Sequence, residues 1–154
     1  MLEQIQLLLL NIIIIVLMFF VMEVFSVLQH KYIMHGFLWS IHRDHHFYTG
    51  KKYQKNDLFS YSAAAVAIIL LVTGFFSGFD LKFSIGLGMT VYGVGYFIFH
   101  DGVFHHRYGI KYKPKGRFIK RILNAHAMHH QKSNKPYTGV SFGFFIVSKK
   151  YDVQ

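Results

Sequence analysis

Apolar residues in this chain come in long blocks, not in alternation, and three blocks are long enough to be helices that cross a bilayer, for which about 20 residues are needed. The first covers 5–28 and reads largely LLLLNIIIIVLMFFVMEVFSVL, with Glu23 its only charge. It has neither a basic leader nor a small-residue cleavage site, so it reads as a retained span and not a secretion signal. The second covers 58–79 and the third 83–99, neither with a charged residue, and only Asp80, Leu81 and Lys82 separate them. So short a connection predicts an antiparallel helical hairpin. A fourth apolar stretch, 137–148, is too short to cross and reads as an interfacial or re-entrant piece. The pattern predicts an all-α integral membrane protein, a single domain over 1–154 with about three transmembrane helices plus cytoplasmic helices.

Composition sharpens this picture. Hydrophobic residues make up 53% of the chain and charged ones 16%, which argues against an ordinary soluble domain. The absence of cysteine excludes disulfides, zinc ribbons and thiolate iron–sulfur sites. Seventeen Lys and Arg stand against seven Asp and Glu, and sixteen of the seventeen lie either between spans one and two or after span three. Lys82 alone sits in the opposite turn. Short cytoplasmic loops carry the basic excess, so the chain is expected in the cell's inner membrane with its N-terminus outside and its C-terminus inside. Attraction to anionic head groups uses the same residues. Nucleic-acid binding, which a pI near 9.8 would otherwise suggest, is disfavoured by the three spans.

All eleven histidines fall on the predicted cytoplasmic side. A single histidine on a helix is usually a surface or hydrogen-bonded residue, but these form repeated boxes. His42, His45, His46 and His126, His129, His130 are H-x-x-H-H, which brings three imidazoles to one side of a helix. His30, His35 and His100, His105 are H-x-x-x-x-H, about 140° apart on an ideal α-helix. That spacing suits one metal poorly, so the pairs are expected to serve different metals or to be separated by a helix end, with Gly36 and Gly102 as candidate breaks. Ten converging imidazoles imply two metals, and the lack of E-x-x-H motifs excludes the ferritin-like carboxylate plan. Haem held between spans needs histidines in the bilayer core, whereas these sit at the span ends.

The segments HKYIMHGFLWSIHRDHH, NDL at Asn56 to Leu58, GMTVYGVGYF at Gly88 to Phe97, FHDGVFHHR and AHAMHH followed by GVSFGFF resemble bacterial β-carotene 3-hydroxylases, within the histidine-motif fatty acid hydroxylase superfamily. The resemblance runs from Glu23 nearly to the C-terminus. It implies a di-iron monooxygenase that uses O2 to hydroxylate carbon 3 of each β-ionone ring, converting β-carotene through β-cryptoxanthin to zeaxanthin, and canthaxanthin to astaxanthin. It also implies two iron ions, a reduced ferredoxin-type electron donor, and ten ligands: His30, His35, His42, His45, His46, His100, His105, His126, His129 and His130. His106 falls outside the motif and stands as the alternative to its neighbour His105. Alternatives within the chemistry are another histidine-box hydroxylase, a desaturase or a carotenoid ketolase. From another class, the chain would be a non-catalytic metal- or haem-binding membrane protein, separable by iron content and a Soret band.

Several further residues carry expectations. Glu23 lies two helical turns before His30 and is expected as an acceptor for a ligand imidazole, with a buried polar pin as the other reading. Asp101, beside His100, either orients a ligand or faces water, and Asp44 is expected to be solvated. Gly86, Gly88, Gly93 and Gly95 form a smooth face suited to close helix packing. Trp39, Tyr92 and Tyr96 are expected as aromatics without chemistry.

Overall fold

A computed structural model of the chain describes residues 2–47, 51 and 53–153; Lys52, one of the basic residues of the first loop, lies outside the described residues. The described elements are all helical. α1 covers Leu2–Leu28 and continues as a π-helical stretch, Gln29–Phe37. α2 covers Trp39–His46, α3 Asp57–Phe76 and α4 Leu81–Tyr96, which in turn continues as a π-helical stretch over Phe97–Phe104. α5 covers Arg117–Lys132, and a short 3-10 turn, Lys149–Tyr151, follows an irregular segment. Three helices are long and apolar enough to cross a membrane: Leu2–Phe37, Asp57–Phe76 and Leu81–Phe104. Their apolar side chains are largely exposed, as surfaces that meet lipid must be: in α1 only Glu23 is buried.

The chain divides into two compact units. One comprises Met1–Met22 and Leu58–Gly95, and holds most of α1, α3 and α4. Here α3 and α4 form the expected antiparallel hairpin, but the connection lies at 77–80 and not 80–82. Gly78 and Phe79 adopt positive φ of 80° and 61°, reversing the chain, and Asp80 accepts the Lys82 N–H at 3.0 Å to start α4. α4 runs parallel to α1: Ser84 Oγ donates to Asn11 Oδ1 at 3.0 Å, and the Phe19 ring meets Tyr92 edge-on. The glycines let these helices approach. A Cβ on Gly86 would lie 2.9 Å from the Ala67 carbonyl of α3, and one on Gly88 2.6 Å from Met18 Cβ of α1, so two faces of α4 are close-packed and not one. Gly93 has nothing within 4 Å of such a Cβ.

The other unit comprises Glu23–Asp57 and Tyr96–Gln154 and contains every histidine. α5 is amphipathic, burying Ile122, Ala125 and His129 at helical spacing. The C-terminal turn docks on it: Arg121 and Arg117 both donate to Asp152, and Asn124 Nδ2 donates to the Tyr151 carbonyl at 2.9 Å. The 137–148 piece is irregular backbone. It folds around Glu23, whose Oε1 accepts three consecutive backbone N–H groups, from Phe144, Phe145 and Ile146, at 2.8, 2.8 and 2.9 Å. Glu23 thereby pins this segment from a buried position, as one of its two readings expects. Gly143 is required at this bend, since a Cβ there would sit 2.5 Å from the Ile146 carbonyl oxygen.

Helix contact at Gly88 generates a test. Gly88→Ala should lower the thermal midpoint of the detergent-solubilised protein, by a loss of about 1–3 kcal/mol for overpacking, while Gly93→Ala should be neutral or slightly stabilising.

Candidate metal centre

The two H-x-x-x-x-H pairs fall within the π-helical stretches, and this resolves their spacing. Leu38 N–H donates to the Ile33 carbonyl at 3.0 Å and His105 N–H to the His100 carbonyl at 3.1 Å, both i to i+5 bonds. A turn closed over five residues brings i and i+5 to the same side. His30 and His35 ring centroids lie 5.1 Å apart, those of His100 and His105 4.7 Å. The expectation that a helix end splits each pair is therefore corrected, and His30 and His35 fall in one group of candidate ligands and not in two. Gly36 does break the helix, with ψ of −124°, but after His35; Gly102 stays within the π-helical stretch.

Two groups of imidazoles result, each with its ligand nitrogens within 4.8 Å of one another: His30, His35, His42, His46 and His129, and His45, His105, His126 and His130. His100 borders the second group, its ring 4.7 Å from His45 and 5.0 Å from His126. The boxes are interleaved. α2 gives His42 and His46 to the first group and His45 to the second; α5 gives His126 and His130 to the second and His129 to the first. One H-x-x-x-x-H pair lies with each group, so the arrangement has a loose two-part symmetry. His105 is turned into the second group, whereas His106 is exposed, with φ of 50° and Nδ1 donating to the Ile110 carbonyl at 3.2 Å.

Five of the rings have an outward nitrogen anchored on oxygen. Nδ1 of His42 donates to Asn56 Oδ1 at 2.6 Å, Nδ1 of His129 to the Val140 carbonyl at 2.8 Å, and Nδ1 of His30 to the Phe142 carbonyl at 3.3 Å. In the second group Nδ1 of His45 donates to Gln54 Oε1 at 3.3 Å, and beside it Nδ1 of His100 donates to Asp101 Oδ1 at 2.8 Å. A neutral imidazole has one proton, so these rings present a bare Nε2 inward. His30 and His42 then bring two Nε2 lone pairs to 3.2 Å, and the His46 Nε2 lies 3.0 Å from that of His42. In the second group His105 and His126 Nε2 atoms lie 2.9 Å apart, and His130 Nε2 is buried without a hydrogen-bond partner. The His30 and His42 lone pairs, facing each other, fit a cation between them, and the donor set, all imidazole nitrogen, fits a first-row transition metal.

Burial holds these rings neutral. It pushes His42, His105 and His129 down to about 4 and His130 to about 2, with neighbouring imidazoles adding to the effect on His130. His45, His46 and His126 are also held well below the ordinary imidazole value, first by burial and then by other histidines.

Several contributors were not singled out by residue type. Asn56, Gln54, Val140 and Phe142 supply acceptor oxygens; Asn56 lies in the NDL motif and Val140 and Phe142 in GVSFGFF, while Gln54 had no sequence signal. Asp44, expected in solvent, accepts the Lys55 N–H at 2.6 Å and the Asn56 N–H at 3.4 Å. Trp39 lies 5.1 Å from the His35 ring and Tyr96 stacks on His100 at 4.4 Å, so both aromatics wall the imidazoles. Phe142 packs edge-on against His30, His35 and His129, and also lines a cavity of about 400 Å3 with Val24, Val27, Leu28 and Ile146.

A family model described as fatty acid hydroxylase matches residues 15–148. A protein named beta-carotene hydroxylase from Pantoea ananas is 43% identical over 123 residues, 80% of this chain and 69% of that one. Another of that name from Pseudescherichia vulneris is 39% identical over 146 residues, 95% of this chain and 82% of that one. A plant protein named beta-carotene hydroxylase 2, chloroplastic, from Capsicum annuum is 34% identical over 134 residues, 85% of this chain and 42% of that one. No solved structure matches.

The depressed imidazoles set a pH dependence. Near pH 7 folded and unfolded chains hold them neutral; as the pH falls below 6.5 the unfolded chain takes up protons that the folded one refuses. Thermal stability of the metal-depleted protein should therefore fall from about pH 6.5 to about pH 4. A midpoint flat across that window, measured in detergent, would contradict the burial of these rings.

Proposed function

This chain belongs to the fatty acid hydroxylase family, and from that premise we propose that it hydroxylates carbon 3 of the β-ionone rings of β-carotene, giving β-cryptoxanthin and then zeaxanthin, and takes canthaxanthin to astaxanthin. The observation that carries the reading is the pair of inward-facing imidazole groups in a chain about 40% identical to bacterial proteins of that name. We assign one iron to His30, His35, His42, His46 and His129 and a second to His45, His100, His105, His126 and His130. Bound there, iron supplies the redox chemistry with O2 that zinc lacks. For each hydroxylation one oxygen atom of O2 enters the C–H bond and the other leaves as water, with two electrons from a ferredoxin-type donor and two protons.

The chain's own residues prepare that chemistry. Anchored Nδ1–H groups orient the Nε2 atoms of His30, His42, His45, His100 and His129 before any ion arrives, which lowers the reorganisation needed on binding. Phe142, Trp39 and Tyr96 surround the imidazoles with hydrocarbon. Phe142 joins the first group to the cavity beside Val24, Val27 and Leu28, a lipid-side approach by which an apolar ring at the end of a long polyene reaches the ions. Selectivity for the molecule's end follows from a site at the ends of the spans. We place the chain as one hydroxylase domain in the inner membrane, N-terminus outside and histidines cytoplasmic, where basic residues such as Lys111, Lys113 and Lys115 steer an acidic donor.

Cells that accumulate β-carotene should form β-cryptoxanthin and zeaxanthin when they express this chain, and His129→Ala should reduce product at least about 100-fold. Untouched β-carotene with the protein in the membrane and supplied with iron, O2 and reductant would overturn the substrate assignment, and echinenone or canthaxanthin would make it a ketolase. Because the chain has no cysteine, single cysteines report topology: one replacing Lys82 should react with an impermeant thiol reagent on intact cells, and one replacing Lys115 only after permeabilisation.

A further inference from the structure

We infer that the short loop Gln54–Asp57 is a clamp that holds both imidazole groups in their metal-binding tautomers, with Asn56 governing the first and Gln54 the second. This rests on the two-metal reading but assigns positioning roles to residues outside the ligand set. Asn56 is 6% exposed, and its Oδ1 receives the His42 proton at 2.6 Å, the shortest of these imidazole anchors. Two residues earlier, Gln54 Oε1 receives the His45 proton at 3.3 Å. His42 and His45 are neighbours on α2 that point into different groups, so one loop grips one ring of each.

The loop is itself tied down from three sides. Asp44, on the same helix as those histidines, accepts the backbone N–H groups of Lys55 and Asn56. Asp57 Oδ2 accepts the Gln54 N–H at 3.0 Å. Arg107 then makes a two-pronged contact with Asp57, Nη1 to Oδ1 at 2.8 Å and Nη2 to Oδ2 at 2.7 Å, and reaches Asp101 Oδ2 at 3.5 Å. Asp101 receives the His100 proton at 2.8 Å, so a continuous polar chain runs from the loop to the ring beside the second group. The forked geometry needs arginine, since a lysine cannot span both carboxylate oxygens.

The test is metal retention, with turnover not involved. Purified protein in detergent is loaded anaerobically with ferrous iron, dialysed against a weak chelator, and assayed for iron per chain, alongside the thermal midpoint of the metal-free form. Wild type should hold two. Asn56→Leu, which keeps the volume and removes the acceptor, should fall to about one, and Asn56→Asp, which keeps an acceptor oxygen, should restore two. Gln54→Leu should weaken iron binding about 10-fold or more, within the range for such supports, and Gln54→Glu should recover it. If Asn56→Leu does not fold, the half-buried Gln54 pair decides the matter. Folded leucine variants that retain two irons as tightly as wild type would overturn the clamp, as would Asn56→Asp behaving like Asn56→Leu. Wild type that never holds two irons would instead overturn the two-metal reading on which the clamp rests.

Discussion

Lone pairs facing lone pairs are the constraint on which the rest of this structure depends. At least two imidazoles of the first group spend their only proton outward, on Asn56 and the Phe142 carbonyl, and so meet across 3.2 Å with nothing to share. Such an arrangement is unfavourable for the polypeptide alone, and it persists only if the surrounding chain over-determines it. The buried carboxylate of Glu23, gathering three amides of the irregular segment, serves that end, because the same segment provides the carbonyls that hold His30 and His129. Backbone that forms no regular structure is here fixed by side chains, Glu23 at Phe144 to Ile146 and Ser133 at Val140.

Helix geometry does the remaining positioning with few devices. An α-turn presents His42 and His46, or His126 and His130, as a pair; a π-turn does the same for histidines five apart. The π-turns act where an apolar helix gives way to polar sequence, so α1 and α4 each end in a histidine pair.

Much of this is legible in the sequence, and the gaps have physical causes. Long uncharged blocks announce helices because an apolar backbone must satisfy its own hydrogen bonds, and the four histidine boxes stand out by number and spacing. The hairpin turn falls earlier than expected because Ser77, Gly78 and Phe79 read as apolar continuation, although the chain reverses there through positive φ. The 29–37 and 97–104 turns do not keep the period of 3.6 residues per turn against which their spacing looks awkward. Glu23 lies on the expected face, but its partners are main-chain amides from 121 residues and more downstream, which no local pattern encodes. The same holds for the carbonyls of Val140 and Phe142, since every residue has one. Which box member goes to which group is also invisible in the sequence, because adjacent histidines of one motif diverge.

That divergence makes each ligand helix a protractor. Along α2, His45 lies between His42 and His46, and an α-helix turns about 100° per residue, so the groups part around this helix and the angle between them is fixed by covalent and hydrogen-bonded geometry. α5 repeats the measurement independently, with His129 between His126 and His130. Ions of different radius can lengthen or shorten their own bonds, but that angle is set in the backbone, and two helices would have to unwind together to change it.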